Sequence, residues 1–414
     1  MTKRILLINS DLAKNRGDRA IAEGNILLIK ERFPNASITG ISHEPERDKQ
    51  WYGIDFIDMH FQSVHPLELL RLCRFARTQD IILWGGGEIL KDYTNKAALW
   101  YWVLKIGVVR LFNKNIYGMY QGIGPTKSSF SRKLIVHIVN RMEHFIVRDQ
   151  ESREKLIKWG TSASKVTAAS DPAVLPTPSP ISQDLKQKLR KDYDIDAEFL
   201  NNFVCIGPRD WFHYKTGGIL PFKYKKKLAK LVGKQANPKP EPENQAYRKQ
   251  LNTLITHITN DLGLNVLLVP MHMEESDVEL CNQLKTTALQ PKRIRVLAND
   301  TLAPNELRDT MSVAKLMIGF RLHSNIIAVS SGVPSLNIYY VDKGRVFFDQ
   351  IKQSKFAIPI ESVLRPDFER TTKNLIRQLL KNQSTHRSEI SAQTKRLRQD
   401  IRRVWSKTIS SDAS

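Results

Sequence analysis

Short apolar runs alternate with amphipathic stretches through the first part of the chain. Lys3 to Asn9, Ser37 to Ser42, Asp80 to Trp84, Asn115 to Tyr120, His144 to Arg148 and Val166 to Ala169 read as strands. Between them, Asp18 to Arg32, Pro66 to Arg77, Lys96 to Phe112, Ser131 to Arg141 and Gln150 to Trp159 read as helices. Strands apolar on both faces, separated by helices of about ten or more residues, predict a parallel sheet covered on both sides. Pro176, Pro178 and Pro180 interrupt the alternation and read as a linker. The pattern then resumes, with strands at Asn202 to Ile206, Asn265 to Pro270, Ile294 to Leu297, Leu316 to Gly319 and Ser335 to Tyr339. Helices are expected at Gln245 to Asp261, Ser276 to Leu284, Ala303 to Thr310 and from Arg321 to about Ser330.

The division predicted is residues 1–175, 176–365 and a C-terminal part at 366–414. The fold class is α/β, two Rossmann-like domains facing a central cleft. Asp367 to Leu380 is amphipathic and is expected to pack back across the domain seam. Arg387 to Lys407 is expected to be a helix with a frayed end. Trp211 to Pro242, rich in Lys, Gly and Pro, reads as a basic excursion with a helical hint at Tyr224 to Leu231. Trp100 to Phe112 is the nearest thing to a membrane segment. Lys105 and Arg110 break it, it falls short of the about 18 apolar residues a span needs, and it reads as a buried helix.

Small and charged residues gather just past the strands, where open α/β sheets bind ligands. They include Asn15-Arg16-Gly17-Asp18, Gly85-Gly86-Gly87-Glu88, Gln121-Gly122-Ile123-Gly124-Pro125, Arg148-Asp149 and Asp171. In the second half the same edge carries Arg209, His272 and Gly319-Phe320-Arg321-Leu322-His323. An arginine beside free amides at a helix start makes an anion site, and histidine can exchange a proton near neutral pH. From residue chemistry alone, a structural salt bridge for Arg321 and a capping role for His323 stand level with that reading. Arg209 is either a second cation for the same anion or a surface arginine, and His272 is a polar cleft residue, a second acid–base or, slightly favoured by spacing, a hydrogen-bonded loop histidine. Asp18 either caps the helix that it opens or orients a substrate hydroxyl. The Gly-rich edges, with Gly17, Gly86, Gly87, Gln121 and Gly122, admit a bulky ligand. Lys343, past the strand Ser335 to Tyr339, completes the substrate-binding candidates.

The net charge of +22 over 414 residues adds an attraction for anions: nucleic acid, anionic lipid or a phosphorylated substrate. Nucleic acid is disfavoured, because charge without a recognisable module is a weak signal. The chain has neither the dinucleotide fingerprint Gly-x-Gly-x-x-Gly nor the P-loop Gly-x-x-x-x-Gly-Lys-Ser/Thr. No metal is expected, since Asp92, Asp149 and Asp171 lack ligand-like pairing; Arg148-Asp149 and Asp171 read as loop braces. Three cysteines, Cys73, Cys205 and Cys281, form no disulfide framework and suit a reducing compartment. A cytoplasmic enzyme is therefore expected, with peripheral contact at the inner face of an anionic membrane and homo-oligomerisation both compatible.

The ordered set of motifs resembles the polysaccharide pyruvyl transferase family. It runs Asn15-x-Gly17-Asp18-x-Ala20-Ile21, Gly85-Gly86-Gly87 with Leu90 and Asp92, Gln121-Gly122-Ile123-Gly124-Pro125, Arg148-Asp149 with Ser152, Asp171-Pro172, and Gly319-x-Arg321-x-His323 before Gly332-Val333-Pro334. The resemblance implies a glycosyltransferase-B-like fold. It also implies transfer of the pyruvyl group of phosphoenolpyruvate, a co-substrate with no further cofactor, to a glycan or lipid-linked glycan, giving a ketal and phosphate. By position, Arg209, Arg321 and His323 become phosphoenolpyruvate-site residues, with His323 and Asp18 as catalytic candidates. Arg16 and Arg19, and the length of the basic excursion, depart from the family's common form. The alternatives are a sugar-nucleotide-dependent glycosyltransferase of the same fold and a non-catalytic carbohydrate-binding module.

Overall fold

The computed structural model describes residues 2–93, 95–210, 242–274 and 276–409. Nearly all of the basic excursion, including Tyr224 to Leu231, lies outside the described residues.

Two parallel sheets form two lobes. The first contains β1 (Arg4–Ile8), β2 (Ser37–Ser42), β3 (Asp55–Asp58), β4 (Ile81–Trp84), β5 (Ile116–Gln121), β6 (His144–Val147) and β7 (Val166–Ala168). Its order is β3-β2-β1-β4-β5-β6-β7. The second contains β8 (Phe203–Gly207), β9 (Asn265–Leu268), β10 (Ile294–Val296), β11 (Met317–Gly319), β12 (Ser335–Tyr339) and β13 (Ala357–Pro359), in the order β10-β9-β8-β11-β12-β13. Central strands such as β4 and β8 are buried at every residue, because helices cover both faces. The strand order of each sheet reverses once, between β1 and β4 and between β8 and β11, and a crevice opens at such a switch point.

The two strands missed in the sequence, β3 and β13, are both short edge strands. Asp-Phe-Ile-Asp and Ala-Ile-Pro carry too little apolar pattern to announce themselves. The helices Pro45–Tyr52, Gln183–Tyr193 and Lys343–Gln350 were also not foreseen.

The lobes are locked together beside the cleft. Asn15 and His272 form an antiparallel bridge, with Arg16 N donating to Met271 O at 2.9 Å and Met273 N to Lys14 O at 2.8 Å. Arg16 and Arg19 are buried braces. Arg16 donates to Pro270 O at 2.8 Å and Asn299 O at 2.9 Å; Arg19 pairs with Asp300 at 2.6 Å and donates to Leu12 O at 2.5 Å. Both arginines thus serve the joint between lobes. Ala20 and Ile21, from the first lobe, pack in the same apolar cluster as Ile326 and Ile327 of the second.

The C-terminal part crosses the seam by a different element from the one expected. Helix Phe368–Lys381 buries Phe368, Ile376 and Leu379 in the core of the second lobe. Helix Gln383–Thr408 makes the crossing instead, and Ile401, Val404, Trp405 and Ile409 complete the core behind the first sheet with Leu28 and Ile29. Trp405 Nε1 donates to Leu28 O at 3.1 Å, and Tyr120 Oη to Ile401 O at 3.0 Å. Removing the Trp405 side chain deletes a large apolar contact and the indole hydrogen bond to Leu28 O. Trp405→Ala is expected to lower unfolding free energy by about 3–5 kcal/mol, as measured by chemical denaturation.

Candidate active site

The two switch points face each other across a cleft of ≈ 350 Å³. From the first lobe, the loops after β1 and β4 supply Gly17, Asp18, Gly87, Glu88 and Lys91; from the second, those after β8, β9, β11 and β12 supply Arg209, His272, Arg321, His323, Tyr340 and Lys343. Eight of the sequence-predicted site residues thereby come together: Gly17, Asp18, Gly87, Arg209, His272, Arg321, His323 and Lys343.

Three do not line the cleft. Gly86 holds φ +134°, which favours glycine and shapes the turn after β4. Gln121 is buried and donates to Trp84 O at 2.9 Å. A side chain on Gly122 would strike the Arg148 guanidinium, 2.4 Å from the Cβ position. These residues build the floor behind the cleft, which corrects their assignment to substrate contact.

The two helix starts differ in how their first amides are satisfied. At helix Arg16–Arg32, Asn15 Oδ1 accepts from Gly17 N at 2.9 Å and Asp18 N at 3.3 Å, so the amides are taken. Asn15 is thus the cap, and Asp18 sits in the first turn, accepting from Asn15 Nδ2 at 3.0 Å. At helix Leu322–Ser330, Arg321 occupies the N-cap position and, among the described residues, no side chain caps the first turn. That end offers amides and the positive end of the helix dipole to an anion.

Charges around this end are arranged in pairs. Arg321 lies against buried Asp277, with Nε–Oδ2 2.6 Å and Nη2–Oδ1 2.9 Å, so the salt bridge and the cleft position are both real and the carboxylate aims the guanidinium. Arg209 donates to Tyr340 Oη and stacks over its ring, 4.1 Å from the centroid. Burial would raise the Tyr340 phenol's pKa, but Arg209, Lys343 and Arg321 outweigh it and lower it. Glu88 is held down to about 2: burial works against ionisation, and Lys343 (3.9 Å), Lys91 (3.7 Å) and Arg148 (3.2 Å) override it. Burial lowers the Lys343 pKa, opposed by Glu88 and Tyr340.

On the facing side, burial raises the Asp18 carboxyl to about 6, moderated by His323. His323 Nε2 lies 3.3 Å from Asp171 Oδ2, and Nδ1 is turned towards Gly17, whose Cβ position is only 2.6 Å away. Burial alone would raise Asp171; His323 and Arg148 more than offset it and keep it ionised. Asp171 holds the orientation of the imidazole through Nε2. The loop-brace reading of Asp171 missed this contact, which spans 152 residues of sequence. Glu88 and Tyr340 were also missed. Glu88 followed three glycines already singled out, whereas nothing near Tyr340 signalled it.

A family model described as "Polysaccharide pyruvyl transferase" matches residues 15–342. The chain belongs to that family. The match contains the loops after β1, β4, β8, β9 and β11. The amylovoran biosynthesis protein AmsJ of Erwinia amylovora is 20% identical over 391 residues, 87% of this chain and 89% of that protein. Anabaena Alr3699/HepE in complex with UDP-glucose has the same fold, with TM-score 0.58 at 14% identity over 99% of this chain and 100% of that one. UDP-GlcNAc 2-epimerase from Neisseria meningitidis bound to UDP-GlcNAc gives TM-score 0.56 at 10% identity over 99% of each chain. The architecture is therefore the two-lobed glycosyltransferase-B-like one.

The electrostatics make one direct prediction for this family member. Because His323 holds the Asp18 pKa down against burial, His323→Gln is expected to move the Asp18 titration above its value of about 6. Carbon-detected NMR of the aspartate carboxylates checks this. An unmoved or lowered midpoint contradicts the coupling.

Proposed function

We propose that this protein transfers the pyruvyl group of phosphoenolpyruvate to sugar hydroxyls of a polysaccharide or its lipid-linked precursor, forming a ketal and releasing phosphate. One observation carries the reading within the family: Arg209, Arg321 and Lys343 converge on one side of the cleft, and the Asp171–His323 pair and Asp18 stand beside them. Phosphoenolpyruvate brings a phosphate and a carboxylate. Two guanidiniums, an ammonium and open helix amides answer both charges.

In this mechanism an acceptor hydroxyl oxygen adds to the central enol carbon and passes its proton to Asp18. The methylene carbon takes a proton from His323 and becomes a methyl group. The carbon–oxygen bond to phosphate then breaks, and the departing charge rests on Arg209, Arg321 and Lys343. A second sugar hydroxyl adds to the same carbon and closes the ketal. Of the two hydroxyl protons, one ends in the methyl group through His323 and Asp18, and the other on phosphate. The charge balance closes with no oxidant. Asp18 must be ionised to act as the base, so its limb of the pH profile rises through about 6 and fails below it.

Nucleotide-sugar glycosyl transfer is the second reading. It draws on the solved relatives of the same fold that carry UDP or UDP-glucose. The two readings separate on the donor: calorimetry with phosphoenolpyruvate alone gives binding under the first and none under the second.

Phosphate release with a diol-bearing glycan acceptor is expected to fall about 10²–10⁴-fold in His323→Ala. Near-normal turnover would remove His323 from the chemistry. Arg321→Ala is expected to weaken phosphoenolpyruvate binding, and an unchanged affinity would refute the clamp.

A further inference from the structure

Helix Lys96–Phe112 is almost wholly apolar, and it is not buried all round. Its charged residues are Lys96, Lys105 and Arg110. Trp100, Leu104 and Leu111 recur at helical spacing along one side, and Leu104 is 63% and Leu111 80% exposed. This corrects the expectation of a buried helix. A helix apolar on every face requires cover on every face, and this one lacks cover along a line of about 16 Å.

The neighbouring helices extend the bare surface. Helix Pro66–Arg77 packs against one flank and helix Ser129–Asn140 against the other. The first adds Val64, just before it, at 84% exposure and Leu67 at 69%; the second adds Phe130, edge-on to Trp100 at 6.1 Å. Isolated exposed apolar residues are ordinary, whereas a cluster over three adjacent helices marks a contact surface.

The charge around the cluster is predominantly positive, with Glu68 of helix Pro66–Arg77 as the exception. Residues 96–140 contain Lys96, Arg110, Lys114, Lys127, Arg132 and Lys133, besides the buried Lys105, and no Asp or Glu. On helix Pro66–Arg77, the exposed positions include Arg71, Arg74 and Arg77. Large apolar side chains ringed by cations match an anionic bilayer, in which the apolar groups enter the headgroup boundary and the cations meet phosphate.

The surface also runs into the cleft. Ala98 and Trp102, on the same helix as the bare stripe, line it, as does Phe61, whose carbonyl accepts from Lys105 Nζ at 2.9 Å. We infer that helices Pro66–Arg77, Lys96–Phe112 and Ser129–Asn140 form a docking surface for an anionic phospholipid bilayer, which sets the acceptor side of the cleft at the membrane. This deepens the transferase reading, on which it rests for one point only: the acceptor is then a glycan carried on lipid.

The test is co-sedimentation of the full chain with phosphatidylcholine vesicles, with or without about one-third phosphatidylglycerol, in the absence of any substrate. Binding is expected only to the anionic vesicles, weakening with added salt, and falling about tenfold or more in the double variant Leu104→Glu, Leu111→Glu. The charge-reversed variant Arg71→Glu, Arg74→Glu is expected to weaken it similarly. Phosphate release with a short water-soluble acceptor should be unchanged in both variants, which also reports that they fold. Equal binding by wild type and both variants overturns the inference, as does no binding by wild type. If the bare face is instead an interface between copies of the chain, Leu104→Glu dissociates a dimer in sedimentation velocity while vesicles go unbound, and the inference falls. The vesicle assay uses no phosphoenolpyruvate, so its failure is distinguishable from failure of the pyruvyl-transfer reading.

Discussion

The two lobes meet where helix Arg16–Arg32 lies against helix Leu322–Ser330 and the short turn Pro172–Val174, and that approach leaves no space for side chains at two positions of the first helix. A Cβ at Gly17 would sit 2.6 Å from His323 Nδ1, and one at Gly24 would sit 2.0 Å from Pro172 O. The glycines therefore act at the level of domain geometry. Gly17 lets one lobe's helix start close on the other's, which puts Asp18 and His323 into one cleft, and Gly24 seats the same helix on the turn Pro172–Val174. The Arg16 and Arg19 braces and the bridge between Asn15 and His272 then hold the approach. Since the packed contact between lobes is what aligns the groups, changes far from the cleft that loosen it would act on chemistry as well as on stability.

Within the cleft, the cost of concentrating cations is met by buried carboxylates. Glu88 stands among Lys91, Lys343 and Arg148; Asp277 faces Arg321; Asp171 faces both Arg148 and His323. Each acid fixes the direction of a base. Burial is the largest influence on Glu88, Asp171 and Asp18 alike, but among the described residues no cation pairs with Asp18 as closely as with the other two, so burial prevails and lifts it to about 6. One cleft thus contains carboxylates kept ionised and one poised to exchange its proton, a separation set by their surroundings.

Much of this was legible in the sequence because a parallel sheet writes itself in continuous apolar runs and places its loops at one edge. Arg321 and His323 could be found from the run before them and the helix after. What could not be read was anything set by distance in space. Asp171 and His323 are far apart in sequence, and neither hints at the other. Tyr340 acquires its meaning only when Arg209 folds over its ring. Arg16 and Arg19 stood out in the sequence only as a departure from the family's common form, whereas their partners, Pro270, Asn299 and Asp300, belong to the other lobe. The edge strands β3 and β13 were missed because an edge needs less apolar surface than a centre. The amphipathic pattern of Phe368–Lys381 was plain, but a pattern says that a face is buried and not against which lobe.

The helix Gln383–Thr408 has a consequence for how the protein comes into being. The core behind the first sheet includes Ile401, Val404, Trp405 and Ile409, which follow the whole second lobe in the chain. Domains commonly fold in order as they leave the ribosome, the N-terminal one first. Here the first lobe waits with Leu28, Ile29 and Phe33 uncovered until the second has been translated. Its completion is a late, long-range docking step, and a nascent chain stalled before residue 401 would offer a greasy surface to chaperones and proteases.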